Sequence, residues 1–369
     1  MTTIILKATE ACNSNCYYCD VVRKQGSGRS MPLEVLETVY RRVDEHLRSS
    51  PEDRISLLWH GGEPLLLGPE YFRAALQLQR RLCADTQSRI SHDVQTNLTL
   101  FDESFVDVFR ELGITALGTS YDPEPHMRGP GRARDSTRYN EGFMRGLRVL
   151  ERHGFAWGMI YVVTQRSLRQ PLETFHFLTN LSLEGAFNLN AVLIYDQQRK
   201  DVAITAEQFA DFLGTLFEVW WKHRDRFPAV EPFRALRESI IDRRLSLGCV
   251  DSGQCTYHHV NVAPDGSTSQ CGRAADWNIL SYGNLADRSL TDVLRDPERE
   301  QLERRQQVLP QGECAGCRFW KLCHGGCPLD AYSQHRDFLH KSEWCEAKRG
   351  FIERYFEPVT GVRFDPDQD

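Results

Sequence analysis

The chain has no stretch of about 18 consecutive apolar residues, the length a membrane-spanning helix needs, so a transmembrane helix is excluded. Nor does Met1 to Ala8 contain the charged, apolar and small-residue sections of a signal peptide, because it is short and turns polar quickly. The cytoplasm is the expected compartment. Basic charge is not in surplus: 45 Lys and Arg stand against 51 Asp and Glu, net -6, and no basic tract offsets the balance. Neither nucleic acid nor an anionic membrane is therefore an expected partner. Cysteine, at 12 of 369 residues, is too sparse for a disulfide scaffold, and in a reducing compartment the side chains read as thiols or metal ligands. Internal repeats and low-complexity tracts are missing too.

What cysteine there is lies unevenly. Cys12, Cys16 and Cys19 stand near the start, Cys83 stands alone, and Cys249, Cys255, Cys271, Cys314, Cys317, Cys323, Cys327 and Cys345 crowd the last third. The gap from Ala84 to Gly248 predicts a cysteine-poor body over 1–225, a connection over 226–248, a cysteine-rich domain over 249–350 and a tail over 351–369. In the body, strand-like runs alternate with helix-like ones. Ile4–Lys7, Ile55–Trp59, Ser91–Gln95, Ile114–Ser120, Trp157–Val163 and Ala186–Ile194 read as strands. Between and after them, Pro32–Leu47, Tyr71–Cys83, Glu103–Leu112, Tyr139–His153, Leu172–Leu181 and Ala206–Trp221 read as helices. Six β/α units predict a parallel sheet and are too few for an eight-stranded barrel. The expected fold class is α/β, a partial (β/α)6 TIM barrel with a C-terminal cysteine-rich domain. A charged stretch, Lys222 to Arg226, ends at Pro228 and reads as the linker.

The strongest chemical signal is Cys12-Asn-Ser-Asn-Cys16-Tyr-Tyr-Cys19, just after the first strand. Three thiolates at this spacing can wrap one iron-sulfur cube and leave its fourth iron open to substrate; the alternative is a zinc knuckle completed by a distant His. The motif resembles that of the radical S-adenosylmethionine (radical SAM) enzymes, in which such a loop holds a 4Fe-4S cluster whose open iron is chelated by SAM. By that resemblance Tyr18 packs near the adenine. After the second strand comes Trp59-His60-Gly61-Gly62-Glu63-Pro64, similar to the family's GGEP motif, which receives the SAM amino group. Two glycines allow close main-chain approach and Pro64 fixes the exit angle. Asn97 and Ser120, ending the third and fourth strands, match by position polar residues around the SAM ribose and carboxylate. Arg128, Arg134 and Arg138 are candidates for a carboxylate-binding arginine, with no ground to choose among them. His60, at a strand's C-terminal end, is a candidate to touch SAM or substrate.

The eight C-terminal cysteines suffice for two fully ligated clusters, with a zinc ribbon as the alternative. Tyr257–Val262, Pro264-Asp265-Gly266 and Ser267–Gln270 read as a hairpin that returns Cys255 and Cys271 to one place. His258 and His259 would point to opposite faces of that strand. The arrangement resembles the SPASM extension of radical SAM peptide-modifying enzymes. That resemblance implies one auxiliary 4Fe-4S cluster on Cys249, Cys255, Cys271 and Cys327, and a second on Cys314, Cys317, Cys323 and Cys345. Cys83 shares a helical face with Phe72, Ala75, Leu76 and Gln79 and reads as a buried structural thiol.

The resemblance implies an oxidoreductase that makes a 5'-deoxyadenosyl radical from SAM with three 4Fe-4S clusters. Its radical takes hydrogen from a side chain of a ribosomally made precursor peptide. Expected partners are that peptide and an electron donor such as flavodoxin or ferredoxin; since only eleven residues precede Cys12, the peptide is expected to bind the barrel, the SPASM domain or a separate peptide-recognition protein. Sulfatase maturases share the layout and use an Asp directly after the third auxiliary cysteine as base. Here Gly272 and Arg273 follow Cys271 and Asp276 comes five residues on, so Asp276 is a relocated-base candidate. The glycine ranks oxidation or cyclophane-type cross-linking of a precursor peptide first and sulfatase maturation second. A small-molecule dehydrogenase on the same scaffold is a further alternative.

Overall fold

The structure, a computed structural model, describes residues 1–19, 28–181, 185–194, 197–227 and 229–367. Strands and helices alternate as β1 (Thr2–Thr9), α1 (Leu33–Ser49), β2 (Ile55–Gly61), α2 (Gly68–Leu82), β3 (Ile90–Thr96) and α3 (Glu103–Glu111). The series continues with β4 (Ala116–Ser120), α4 (Ser136–His153), β5 (Ala156–Val163), α5 (Pro171–Thr179), β6 (Phe187–Ala191) and α6 (Ala206–Lys222). After β7 (Val230–Glu231) and α7 (Phe233–Ile240) come α8 (Cys255–His258), β8 (His259–Val262), β9 (Ser267–Ser269), α9 (Gly272–Trp277) and β10 (Ser281–Asn284). The six β/α units are those the apolar spacing predicts, and the fold is α/β with a parallel sheet. Pro228, expected to end the linker, lies outside the described residues.

Local chemistry fixes the helices. On α2, Phe72, Ala75, Leu76 and Gln79 recur at helical spacing and are buried. The Cys83 thiol behind them is fully buried, sits against the Tyr40 carbonyl at 3.5 Å, and is pushed up to about 12 mainly by that burial, as expected of a structural residue. Asp102 caps α3 through the Ser104 N–H, and Thr205 with Gln208 forms a capping box on α6.

Two compact units result, and they divide the chain differently from the linear order expected of it. One comprises residues 1–120, 125–157 and 256–299, the other 121–124, 158–255 and 300–369. In the first, β1 to β4 are parallel neighbours; β8 adds to the free side of β1 in parallel, and β9 and β10 follow antiparallel. The hairpin of the cysteine-rich segment thus belongs to the sheet that starts the chain. Its first strand begins only at His259, where β1 offers Thr3 as a partner; Tyr257 and His258, expected as strand, belong instead to the helical turn Cys255–His258, whose Thr256 carbonyl accepts from Arg299. His258 therefore faces the Met1 carbonyl at 3.3 Å rather than alternating with His259 along a strand. In the second unit, β5, β6 and β7 are parallel, and Phe217 of α6 packs among Phe233, Phe351 and Phe356.

Register separates the two faces of the first sheet. Leu6, Trp59 and Val94 are lateral partners, and Trp59 packs edge-on against Phe72 of α2, which makes this the helix side. The next residue along each strand faces the other way: Lys7, His60 and Gln95, with Ser120 of β4 beside Gln95. Toward the C-terminal ends of these strands the helix side is apolar at Leu6, Trp59 and Val94, and the opposite face is polar at Lys7, His60 and Gln95.

Candidate active site

The loop leaving β1 carries Cys12, Cys16 and Cys19, all half-buried. The Ser14 N–H points at Cys12 Sγ at 3.4 Å and Ser14 Oγ lies 3.5 Å from Cys16 Sγ. Burial pushes the Cys12 thiol up to about 12, and the nearby Cys16, Glu63 and Cys19 add to the rise. The three thiols and the Glu63 carboxyl are therefore close enough to act on one another.

Gly61 and Gly62 make that proximity possible. A Cβ on Gly62 would lie 1.9 Å from the Ala11 carbonyl oxygen, and one on Gly61 2.3 Å from that of Thr9. The main chain instead closes on the cysteine loop through Gly62 N–H to Thr9 O and Glu63 N–H to Ala11 O, both 2.8 Å. The glycine pair thus lets one backbone reach another, where the sequence suggests approach to a ligand. Glu63 is fully buried and accepts from Leu65 N–H (3.0 Å), Asn97 N–H (2.7 Å) and Thr96 Oγ1 (2.7 Å), using three of about four lone-pair sites. Burial lifts its carboxyl to about 7 against those three donors. Pro64 opens the short 3-10 turn that Glu63 caps. Asn97 donates to Asn13 Oδ1 at 2.8 Å and receives Thr99, so it braces the loop between Cys12 and Cys16. Ser120 Oγ accepts from Gln95 Nε2 at 3.2 Å.

Of the three candidate arginines, the structure turns Arg128 inward. It is 6% exposed, donates to the Tyr18 hydroxyl, and brings Nη1 to 3.9 Å from Cys16 Sγ. Arg134 stacks over Tyr17 with 4.5 Å to the ring centroid, and Arg138 is exposed.

A residue that sequence reasoning missed completes the polar face. Lys7 Nζ donates to Asp276 Oδ1 at 2.6 Å, with only 7% and 11% of the two side chains exposed. Lys7 is the lateral partner of His60 and passes beside Gly61. The signal was available: a lone lysine directly after the apolar run Ile4–Leu6 of a strand needs a counter-ion when the strand is buried. His60 Nδ1 accepts from the Gly61 N–H at 2.7 Å, and burial, then the Lys7 charge, lower its imidazole to about 4. His60 is thus neutral, with its proton on Nε2. Asp276 reaches this place because Cys271 ends β9's run and N-caps α9, which puts Gly272 and Asp276 four residues apart on one helix face.

In the second unit, the Cys314 thiol is pushed up to about 11 by burial and then by Cys323, Cys345 and Cys317. Cys323 and Cys345 are raised likewise, each feeling Cys317. Cys314, Cys323 and Cys345 thus share Cys317 as a common electrostatic neighbour. Cys249, Cys255 and Cys327 also belong to the second unit, and Cys271 to the first. Among the described residues no three His, Cys, Asp or Glu side chains converge to hold a single metal ion. An iron-sulfur cube asks for something else, thiolates that neighbour one another while each holds its own iron. The donor chemistry fits such a group at both places: soft thiols alone, with an N–H donor and a guanidinium beside the first set.

The model of the radical SAM superfamily matches residues 6–178, and that of an iron-sulfur cluster-binding domain, SPASM, matches residues 249–318. The cysteine-type anaerobic sulfatase-maturating enzyme of Clostridium perfringens is 24% identical over 376 residues, covering 98% of this chain and 98% of the relative. The serine-type enzyme of Bacteroides thetaiotaomicron is 23% identical over 352 residues, covering 88% and 82%. Among solved structures, native anSMEcpe with bound AdoMet and Cp18Cys peptide superposes with a TM-score of 0.82 at 23% identity, covering 98% of each chain.

Proposed function

The chain is a radical SAM enzyme with a C-terminal SPASM domain, and from that premise we propose that it oxidises a Cys or Ser side chain of a peptide substrate to an aldehyde, as in anaerobic sulfatase maturation. Its cofactors are SAM and 4Fe-4S clusters. Cys12, Cys16 and Cys19 would hold the SAM-binding cluster, with Arg128, Tyr18, Gly61, Gly62, Glu63, Pro64, Asn97 and Ser120 around it. Cys249, Cys255, Cys271 and Cys327 would hold one auxiliary cluster, and Cys314, Cys317, Cys323 and Cys345 the other. When bound, these groups supply one-electron chemistry: abstraction of a hydrogen atom from carbon and acceptance of the electron left behind. An external carrier of flavodoxin or ferredoxin type is the expected source of reducing electrons.

The observation that carries the reading is the place of Asp276. Absence of an acid directly after Cys271 ranks sulfatase maturation second in the sequence. Helix α9 supports the reading, because Asp276 lies one turn beyond Gly272 on the same face and is held by Lys7. Lys7 Nζ at 2.6 Å fixes the Asp276 carboxyl group in place, as a positioned base requires. It takes the proton of the substrate thiol or hydroxyl while the Cβ loses a hydrogen atom and the side chain loses one electron. For Cys, the resulting thioaldehyde exchanges sulfide for water oxygen. His60, neutral and with Nε2–H free of the Gly61 contact, offers a hydrogen bond without competing for that proton.

The test is incubation of the reconstituted enzyme with SAM, dithionite and a peptide bearing a sulfatase-type Cys or Ser motif, with hydrazide trapping and mass spectrometry of the product. Aldehyde formation, its loss in Asp276→Asn, and its partial return in Gly272→Asp/Asp276→Asn are expected. A peptide that instead loses two hydrogens and resists fragmentation between two residues would restore cross-linking as the function.

A further inference from the structure

Apart from Arg128, the chemistry above leaves unused the segment between β4 and α4 and the first turn of that helix. Residues 127–138 strap the cysteine loop: Asn15 N–H donates to Gly129 O at 2.8 Å, Tyr17 N–H to Met127 O at 2.9 Å, and Asn15 Nδ2 to Gly131 O at 3.0 Å. In return the Gly129 N–H donates to Ser14 Oγ at 3.2 Å. The strap has one tight path. Gly129, Gly131 and Arg134 take φ of 139°, 70° and 52°, and a Cβ on Gly129 would lie 2.4 Å from the Asp135 carbonyl oxygen. A left-handed arginine is unusual, and here it places the Arg134 guanidinium on the ring of Tyr17, the residue after Cys16.

While Arg128 points into the site, Arg132 and Arg138 point out, exposed and without an ion pair among the described residues. Asp135 is the single acid of the segment, and its carboxylate accepts from the Arg138 N–H. Within 127–138, four arginines thus stand against one acid, a local surplus of positive charge in a chain whose net charge is -6. An acidic protein is repelled by most of such a surface. Because screening confines the field to about 10 Å, a compact cationic patch decides where that protein can settle.

We infer that the strap is the docking surface for an acidic one-electron carrier protein, with Arg132 and Arg138 as its exposed contacts and Arg134 on Tyr17 as the link to the cysteine loop. The inference rests on the cluster proposed at Cys12, Cys16 and Cys19. The step is a bare electron transfer: the reduced carrier is oxidised by one electron, the cluster is reduced by one, and no bond or proton moves.

The test uses the holoenzyme, the charge reversal Arg132→Glu/Arg138→Glu, the conservative Arg132→Lys/Arg138→Lys, and an acidic bacterial flavodoxin as probe. Calorimetric titration should show Kd for flavodoxin about tenfold or more weaker in the reversal variant at low salt, near wild type in the lysine variant, and less salt-dependent than wild type in the reversal. Flavodoxin-driven 5'-deoxyadenosine formation should fall in parallel, while the dithionite-driven rate and the peptide KM measured with dithionite stay unchanged. An unchanged Kd would overturn the inference. So would a raised peptide KM with dithionite, which would make the patch a substrate contact. Failure of wild-type enzyme to cleave SAM with dithionite would instead strike the proposed cluster site, separately from the flavodoxin binding measurement.

Discussion

Asp276→Asn removes the counter-ion of a lysine that has no other ion pair among the described residues. With Nζ and Oδ1 2.6 Å apart and an effective dielectric near 20, the attraction is about 6 kcal/mol before desolvation is subtracted. Lys7 is only 7% exposed, so the variant leaves an ammonium with little water to replace the carboxylate. Breaking one side of a buried pair typically costs about 3–5 kcal/mol, whereas replacing both sides by neutral groups costs far less. Asp276→Asn is therefore expected to lower stability by about 3 kcal/mol, and Lys7→Met in that background to recover most of it. Equilibrium urea unfolding of the wild type, both single variants and the double variant gives the coupling as a double-mutant cycle. Catalysis should divide along a different line: with substrate peptide, Asp276→Asn continues to form 5'-deoxyadenosine but yields aldehyde at least about 100-fold more slowly. Additive stability effects, or aldehyde formation at the wild-type rate in Asp276→Asn, would refute the argument that this pair holds the base.

Three other expectations concern the framework. His92 accepts from Trp59 Nε1 at 3.1 Å and is held near 4 by burial, so the unfolded chain takes a proton at about 6.5 that the folded chain refuses until about 4. Stability present above pH 6.5 should thus fall by about 3 kcal/mol as pH drops to about 4, and His92→Gln should flatten that acid limb in pH-dependent unfolding. Gly62→Ala, whose Cβ would meet the Ala11 carbonyl at 1.9 Å, should destabilise by about 2–3 kcal/mol and impair iron loading, while Gly272→Ala, with nothing within 4 Å, should do neither. Thermal unfolding and iron assay decide both. Replacing Cys12, Cys16 and Cys19 by Ala should abolish 5'-deoxyadenosine formation yet leave about two thirds of the iron, and loss of all iron would mean that the C-terminal thiols form no independent site.

The β/α alternation was legible because it follows from local spacing: Phe72, Ala75 and Leu76 announce a helix face. What stayed hidden depends on register between distant segments. Nothing near Lys7 in the chain says that it meets Asp276, since that contact exists only because β8 pairs with β1 and carries α9 with it. Similarly, Gly61 and Gly62 are recognisable as a close approach, but the thing approached is the backbone of Thr9 and Ala11, fixed by the β1–β2 pairing. Arg128 could not be told from Arg134 because both lie in the short, irregular segment before α4, with no periodicity to assign inward and outward, and Arg138 stands only in the first turn of that helix. The helical turn at Cys255–His258 was missed for a related reason: the apolar alternation from Tyr257 onward is strand-like, and only the start of β1 at Thr2 sets where pairing can begin.

The pairing of β1 with β8 also governs how the polypeptide can be made. During synthesis β1 emerges first and can find β2 soon afterwards, but its other edge stays open until His259–Val262 has left the ribosome. For that interval an apolar strand presents unpaired N–H and C=O groups, a template for wrong partners. The last β/α unit is complete before this edge closes, so folding from the N-terminus cannot finish in order, and a contact spanning some 250 residues must form late. Fragments that stop at the end of α6 would keep that edge permanently open, which makes chaperone dependence and aggregation of truncated forms a direct outcome of one strand's position.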